Sequence, residues 1–156
     1  MRFFRRANEQ GLTAYLRLPG RVAYARVDRR VAVPRLLAAG VVSVKGDNWN
    51  EALAQLHGKG PVSLVLNPAD YKLRLLDAPN VPVEELKSAV RWQIQDMLDF
   101  HADDGPMDVL QVPHPEHVSH VRQIFAVAAK NTLLAEEAVL ATNAGLNLTI
   151  IDIMET

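Results

Sequence analysis

Ala78-Pro79-Asn80-Val81-Pro82-Val83-Glu84-Glu85-Leu86-Lys87-Ser88-Ala89-Val90-Arg91-Trp92-Gln93-Ile94-Gln95-Asp96-Met97-Leu98-Asp99-Phe100 reads as a strand exit, a helix start and a long helix. Stepping about 100° per residue from Leu86 places Ala89, Val90, Ile94, Met97 and Leu98 with it on one half of the helix, the ordinary core stripe. Trp92 falls on the other side, with Ser88, Gln95 and Asp99. So large an apolar group needs cover from another subdomain, a loop of its own domain or a partner, or it stands exposed. Pro82 sits just before the helix, where its missing N–H costs nothing, and Glu84 and Glu85 complement the dipole of the first turn.

Outward from this helix, the chain alternates strands and helices. Leu12–Leu18 and Val22–Asp28 are two strands of a hairpin turning at Pro19-Gly20. Residues 33–45 are rich in β-branched side chains and predict a third strand, bent near Gly40. Asp47 or Asn48 caps a helix running to about His57 and closed by Gly58. Val62–Leu66 is a short apolar strand ended by Asn67-Pro68. In Tyr71–Leu76, Tyr71, Leu73 and Leu75 alternate with Lys72 and Arg74, the pattern of a half-buried strand. Beyond the long helix, Asp103-Asp104-Gly105-Pro106 breaks the chain, and residues 107–112 and 121–129 follow as strands. A helix capped by Asn131 or Thr132 runs to Asn143, Gly145 closes it, and Leu148–Ile153 is a last buried strand. The order β-β-β-α-β, then β-α-β-β-α-β, predicts two α/β lobes.

The segment "VPVEELKSAVRWQIQDMLDF", the strand with Asp108, "FAVAAK" at 125–130 and "AGLNLTIIDIME" at 144–155 together resemble the MshI/PilM family of type IV pilus biogenesis proteins. The resemblance runs from about Val62 to the C-terminus, and "RWQIQDMLDF" brings it nearest to the mannose-sensitive haemagglutinin (MSHA) branch. It implies an actin-like (ribonuclease H-like) α/β lobe formed by residues 1–67 and 146–156, with a small α/β subdomain inserted at 68–145. It also implies that the chain is the N-terminal half of a two-lobed fold, whose remaining half is one of its partners. The function implied is that of a cytoplasmic scaffold or adaptor, peripheral to the inner membrane. Its partner would be an inner-membrane pilus assembly protein whose cytoplasmic tail lies in a groove. The groove candidates in this chain are Trp92, Ser88, Gln95 and the nearby Val62–Leu66 strand, with Arg91 pairing an acidic group of the tail. A GspL-like cytoplasmic component of type II secretion carries nearly the same expectations.

The residues oppose one property of actin-like relatives. Those ATPases grip phosphate with an Asp-x-Gly-Ser/Thr hairpin, through backbone amides. The corresponding segment, Gly11 to Gly20, has neither the Asp nor the Gly-Ser/Thr turn. No P-loop or dinucleotide fingerprint occurs elsewhere, and Gly58-Lys59-Gly60 is too short to serve. Asp28 is the only nearby acid for Mg²⁺. The expectation is therefore no catalytic residue, no cofactor and no enzyme, with an ATP-driven switch as the alternative.

Composition and charge set bounds that the resemblance must respect. With 156 residues and 49% hydrophobic content the chain can build a core. It has no cysteine, which excludes disulfides and thiolate metal sites. No apolar run reaches the ~18 residues of a membrane span, and Met-Arg-Phe-Phe-Arg-Arg lacks the apolar stretch of a signal peptide. Residues 1–60 hold 11 Lys+Arg and 4 Asp+Glu, while the rest hold 6 and 14. Such asymmetry serves internal complementarity between two packed units more cheaply than nucleic-acid binding, for which interleaved aromatics beyond Tyr15 and Tyr24 are missing. His114, His117 and His120 share a Pro-bearing loop that holds no tetrahedral array, so no metal is expected. Asp99, Asp103 and Asp104 suit a turn better than acid–base work. Arg2, Arg5 and Arg6 add at most ~1 kcal/mol each at an anionic leaflet, a weak peripheral anchor.

Overall fold

A computed structural model describes residues 11–29, 33–56, 60–112 and 122–155. The chain forms two compact units: Met1–Pro68 with Glu136–Thr156, and Ala69–Ala135.

In the first unit, strands β1 (Leu12–Leu18), β2 (Arg21–Asp28) and β3 (Arg35–Ser43) form an antiparallel meander. Gly20, at φ 68°, makes the tight β1–β2 turn that an L side chain rarely adopts. Helix α1 (Trp49–Ala54) leads into β4 (Val62–Val65), parallel to β1, and β8 (Leu148–Asp152) pairs parallel to β4. The sheet order is β3-β2-β1-β4-β8. Both crossovers, through α1 and through α3 (Asn131–Asn143), step in the same direction across the sheet. Right-handed connections therefore place both helices on the same face. Residues Thr13, Tyr15 and Arg17 point to that face, with their register partners Arg26, Tyr24 and Val22. Tyr15, Val22, Leu53 and Leu64 are the fully buried heart of this layer.

The opposite face has no helix among the described residues, yet it is apolar. Leu12, Ala14, Leu16 and Leu18 of β1 lie there beside Val27, Ala25 and Ala23 of β2, and all are partly exposed. Val41 of β3 continues the face at 60% exposure. The helix-covered face instead receives the polar side chains Thr13, Arg17 and Arg26. Edge strand β3 differs from expectation in two ways. It is shorter, and its irregularity lies between Leu36 and Ala38, where Leu37 is the extra residue opposite Arg26 and Val27. Gly40 is not a bend. A Cβ there would stand 3.1 Å from the Tyr24 ring, so glycine lets that ring cross the strand.

Helix α1 is shorter than expected. The Asn48 side chain caps it by accepting from the Glu51 N–H, and it ends at Ala54. The expected end at His57-Gly58 lies outside the described residues.

The second unit contains β5 (Tyr71–Asp77), α2 (Val83–Ile94), β6 (Met107–Gln111) and β7 (Gln123–Ala129), with antiparallel order β5-β7-β6. Its core joins Val90 and Ile94 of α2 to Leu76, Met107, Ile124, Ala126 and Ala128. The face expected for β5 holds at Tyr71, which is 5% exposed, and fails further along the strand. Leu76 pairs with Ile124 and turns inward, whereas Leu75 is 51% exposed. Lys72 and Arg74 share the inward side with Leu76, opposite the small residues Ala128 and Ala126, which leave room for their stems.

Candidate docking site

Helix α2 begins at Pro82 (φ −54°, ψ 151°), whose fixed φ suits a helix entry, and carries Glu84 and Glu85 in its first turn. At Gln95 it tightens into a single 3₁₀ turn, Gln95–Met97, and Leu98 is already extended. The expected continuation to Phe100 as one α-helix is therefore corrected. The phase changes from about 100° to about 120° per residue. Met97, expected in the core, swings out to 46% exposure, while Leu98 and Phe100 still pack against the core from extended backbone.

A second 3₁₀ turn, Ala102–Asp104, follows, with the His101 Nδ1 accepting from the Asp103 N–H at 3.3 Å. Arg91 latches this turn to the helix. Its Nη1 donates to the Ala102 carbonyl and, at 3.4 Å, to the Gly105 carbonyl, and it lies 3.8 Å from the Asp103 carboxylate. Gly105 makes the close approach possible. A Cβ at that position would lie 2.0 Å from the Ala129 carbonyl oxygen at the end of β7.

The latched turn and α2 enclose a concavity of about 260 Å³. Ser88, Arg91, Trp92 and Gln95, the four residues singled out in the sequence, all line it, together with His101, Ala102 and Asp103. Trp92 stands 72% exposed. Among the described residues no loop of its own unit covers the ring, which is the exposed alternative of the sequence reading. Sequence phase missed His101, Ala102 and Asp103, because they reach the site through a turn rather than along the helix. The Asp-Asp-Gly-Pro break was their only signal.

Two expected participants are placed differently. Arg91 is spent on carbonyls of its own unit, so an acidic group would have to displace those contacts to pair with it. Strand β4 lies between β1 and β8, with both edges paired and Val62, Ser63, Leu64 and Leu66 buried. It offers neither a free ladder edge nor an exposed side chain beyond Val65.

The acidic trio is dispersed. A hydrogen bond from Lys72 at 3.2 Å holds the Asp99 carboxyl below the usual carboxylate range, and Asp103 stands by Arg91 and His101. Among the described residues no group of three potential metal ligands is found. His114, His117 and His120 lie outside the described residues, as do Arg2, Arg5 and Arg6. No described helix is long and apolar enough to cross a membrane.

No family description matches the sequence, and no curated protein matches it. Solved structures do match the fold. The cytoplasmic domain of EpsL, an inner membrane component of the type II secretion system of Vibrio cholerae, aligns with TM-score 0.69 at 13% identity, covering 92% of this chain and 57% of that one. A PilM-PilN type IV pilus biogenesis complex aligns with TM-score 0.75 at 19% identity, covering 92% of this chain and 47% of its counterpart. The chain thus spans about half the length of these structures and shares their mixed α/β fold with two sheets.

Proposed function

We propose that this chain is a non-enzymatic adaptor of a type IV pilus assembly platform, of the MSHA type, working in the cytoplasm at the inner membrane. Its task is to hold the short cytoplasmic tail of an inner-membrane assembly protein at the concavity around Trp92. The observation that carries this reading is the exposure of Trp92 at 72% beside a pre-formed, latched turn. A large aromatic that the fold leaves open at a concave spot is the usual anchor of a protein contact. The fold shared with a PilM-PilN complex and with EpsL supports the same class of role.

Two alternatives use the same fold. A GspL-like component of type II secretion would dock a different membrane protein at an equivalent place. An ATP-driven actin-like switch would need a phosphate-gripping hairpin, and the β1–β2 turn supplies only Pro19-Gly20. The remaining half of such a fold, as a further partner, belongs to this proposal too.

The test is an NMR titration of the labelled 156-residue chain with peptides from cytoplasmic tails of pilus and secretion inner-membrane proteins. Saturable shifts of the Trp92 indole and of residues 101–105 with a pilus tail support the adaptor. Binding only by secretion tails moves the assignment to the GspL-like alternative. Binding of ATP in the same buffer, with no tail binding, overturns the adaptor.

A further inference from the structure

The charge around Trp92 deepens this docking reading, on which the following inference rests. Between Val83 and Asp104 the chain places Glu84, Glu85, Asp96, Asp99, Asp103 and Asp104, against Lys87 and Arg91 as the Lys and Arg residues. Both cations are already engaged. Lys87 lies 3.5 Å from Asp108, outside the stretch, and Arg91 donates to the turn carbonyls. Asp99 has its own partner in Lys72. What remains around the indole is acidic and open. Glu85 lies seven residues before Trp92 on nearly the same helical line, Asp96 follows four residues after it, and Asp103 lines the concavity at 79% side-chain exposure. The contacts of Asp103 to Arg91 and to His101 are both 3.8 Å long, so its oxygens still have room for a closer donor.

We infer that the docking site is selective for a basic segment, in which an Arg or Lys lays its cation on the Trp92 ring and donates to Asp103. Among aromatic side chains an indole attracts a cation to its face most strongly, and a carboxylate at its edge adds both attraction and direction. The sign reverses the sequence expectation of an acidic tail pairing with Arg91, because that arginine is consumed in holding the turn. It agrees with the kind of partner proposed above. Cytoplasmic flanks of membrane-spanning helices carry an excess of Lys and Arg, so such a tail brings the matching charge of its own accord.

Three synthetic dodecapeptides of equal apolar content, carrying four Arg, four Glu or four Gln, are titrated into the full chain alongside the pilus-protein tails. The readouts are the Trp92 indole N–H shift and, for the Trp92→Ala chain, the backbone amide shifts of residues 101–105. The Arg peptide is expected to bind saturably, with affinity falling as salt rises. Trp92→Ala is expected to weaken it about two- to fivefold or more. Asp103→Asn with Glu85→Gln should weaken it by a similar factor, with the thermal midpoint unchanged. Equal or tighter binding of the Glu or Gln peptide at Trp92 overturns the charge selectivity while leaving the docking site standing. Arg-peptide binding that Trp92→Ala does not change overturns the inference as well. If tails bind while the Trp92 signal stays fixed, the docking reading itself falls.

Discussion

The Arg17 guanidinium lies 4.1 Å from the centre of the Trp49 ring, under α1, while its Nη1 donates to Glu137 of α3. One side chain of β1 thus ties both helices of the first unit to the sheet face they share. The pair is largely buried, with side-chain exposures of 27% for Arg17 and 12% for Glu137. Glu137→Gln is expected to destabilise the chain by about 3 kcal/mol, measured by urea unfolding, since it strands a half-buried cation. Replacing both, Arg17→Met with Glu137→Leu, should recover most of that loss, because no charge then has to be desolvated.

Tyr15 predicts an alkaline transition. Burial, reinforced by Glu137 and opposed by Arg17, pushes its phenol up to about 12 from 10.0. The folded state keeps the proton where the unfolded chain has lost it. The associated stability is therefore complete below pH 10 and disappears between pH 10 and 12, a loss of about 2–3 kcal/mol. Its hydroxyl is buried and finds no hydrogen-bond partner among the described residues. Tyr15→Phe should accordingly leave neutral-pH stability unchanged or raise it by up to about 1 kcal/mol, and flatten this part of the alkaline curve.

Arg91 and Trp92 are neighbours in sequence with opposite expected phenotypes. Arg91→Ala removes a charged donor from two carbonyls and should cost about 2 kcal/mol. Amide hydrogen exchange at residues 101–105 should accelerate with it, reporting a loosened turn. Trp92→Ala should change stability by less than ~0.5 kcal/mol, as an exposed position does. A midpoint drop for Trp92→Ala as large as that for Arg91→Ala would make the indole a packing residue after all.

Gly105→Val offers a way to move the rim without touching it. The added Cβ collides with the end of β7, so the turn must shift. A loss of roughly 1–3 kcal/mol is expected, together with weakened peptide binding at Trp92.

Much of the architecture was legible because local signals agreed. Pro19-Gly20 between alternating runs marked the hairpin, and the spacing of Leu86, Val90 and Ile94 marked the buried side of α2. Legibility failed where a face had to be chosen. In β1 and β5 the apolar alternation (Leu12, Leu16 and Leu18; Leu73 and Leu75) marks the side away from the helices, because chain connectivity decides where helices go. Helical phase put Ser88, Trp92 and Gln95 on the side that lines the concavity, but it also put Asp99 there, which pairs with Lys72 instead. It failed for Arg91's role, since the carbonyls it holds belong to a turn eleven and fourteen residues on. Met97 was misplaced by a change of helix type that composition alone does not announce.

The pairing of β8 with β4 has a consequence for how the chain is made. Thr149 reaches back to the Val62 carbonyl across 87 residues of sequence. On a ribosome adding roughly 5–20 residues per second, β4 waits about 4–17 s for the strand that completes its side of the sheet. During that interval Ser63, Leu64 and Val65 present an open ladder edge, the kind of template on which nascent chains stick to one another. The second unit, whose strands all pair within residues 71–129, can be finished before that edge is sealed. Expression at low temperature or with slowed initiation would then change yield by spacing out unsealed chains, with no change in the stability of the finished protein.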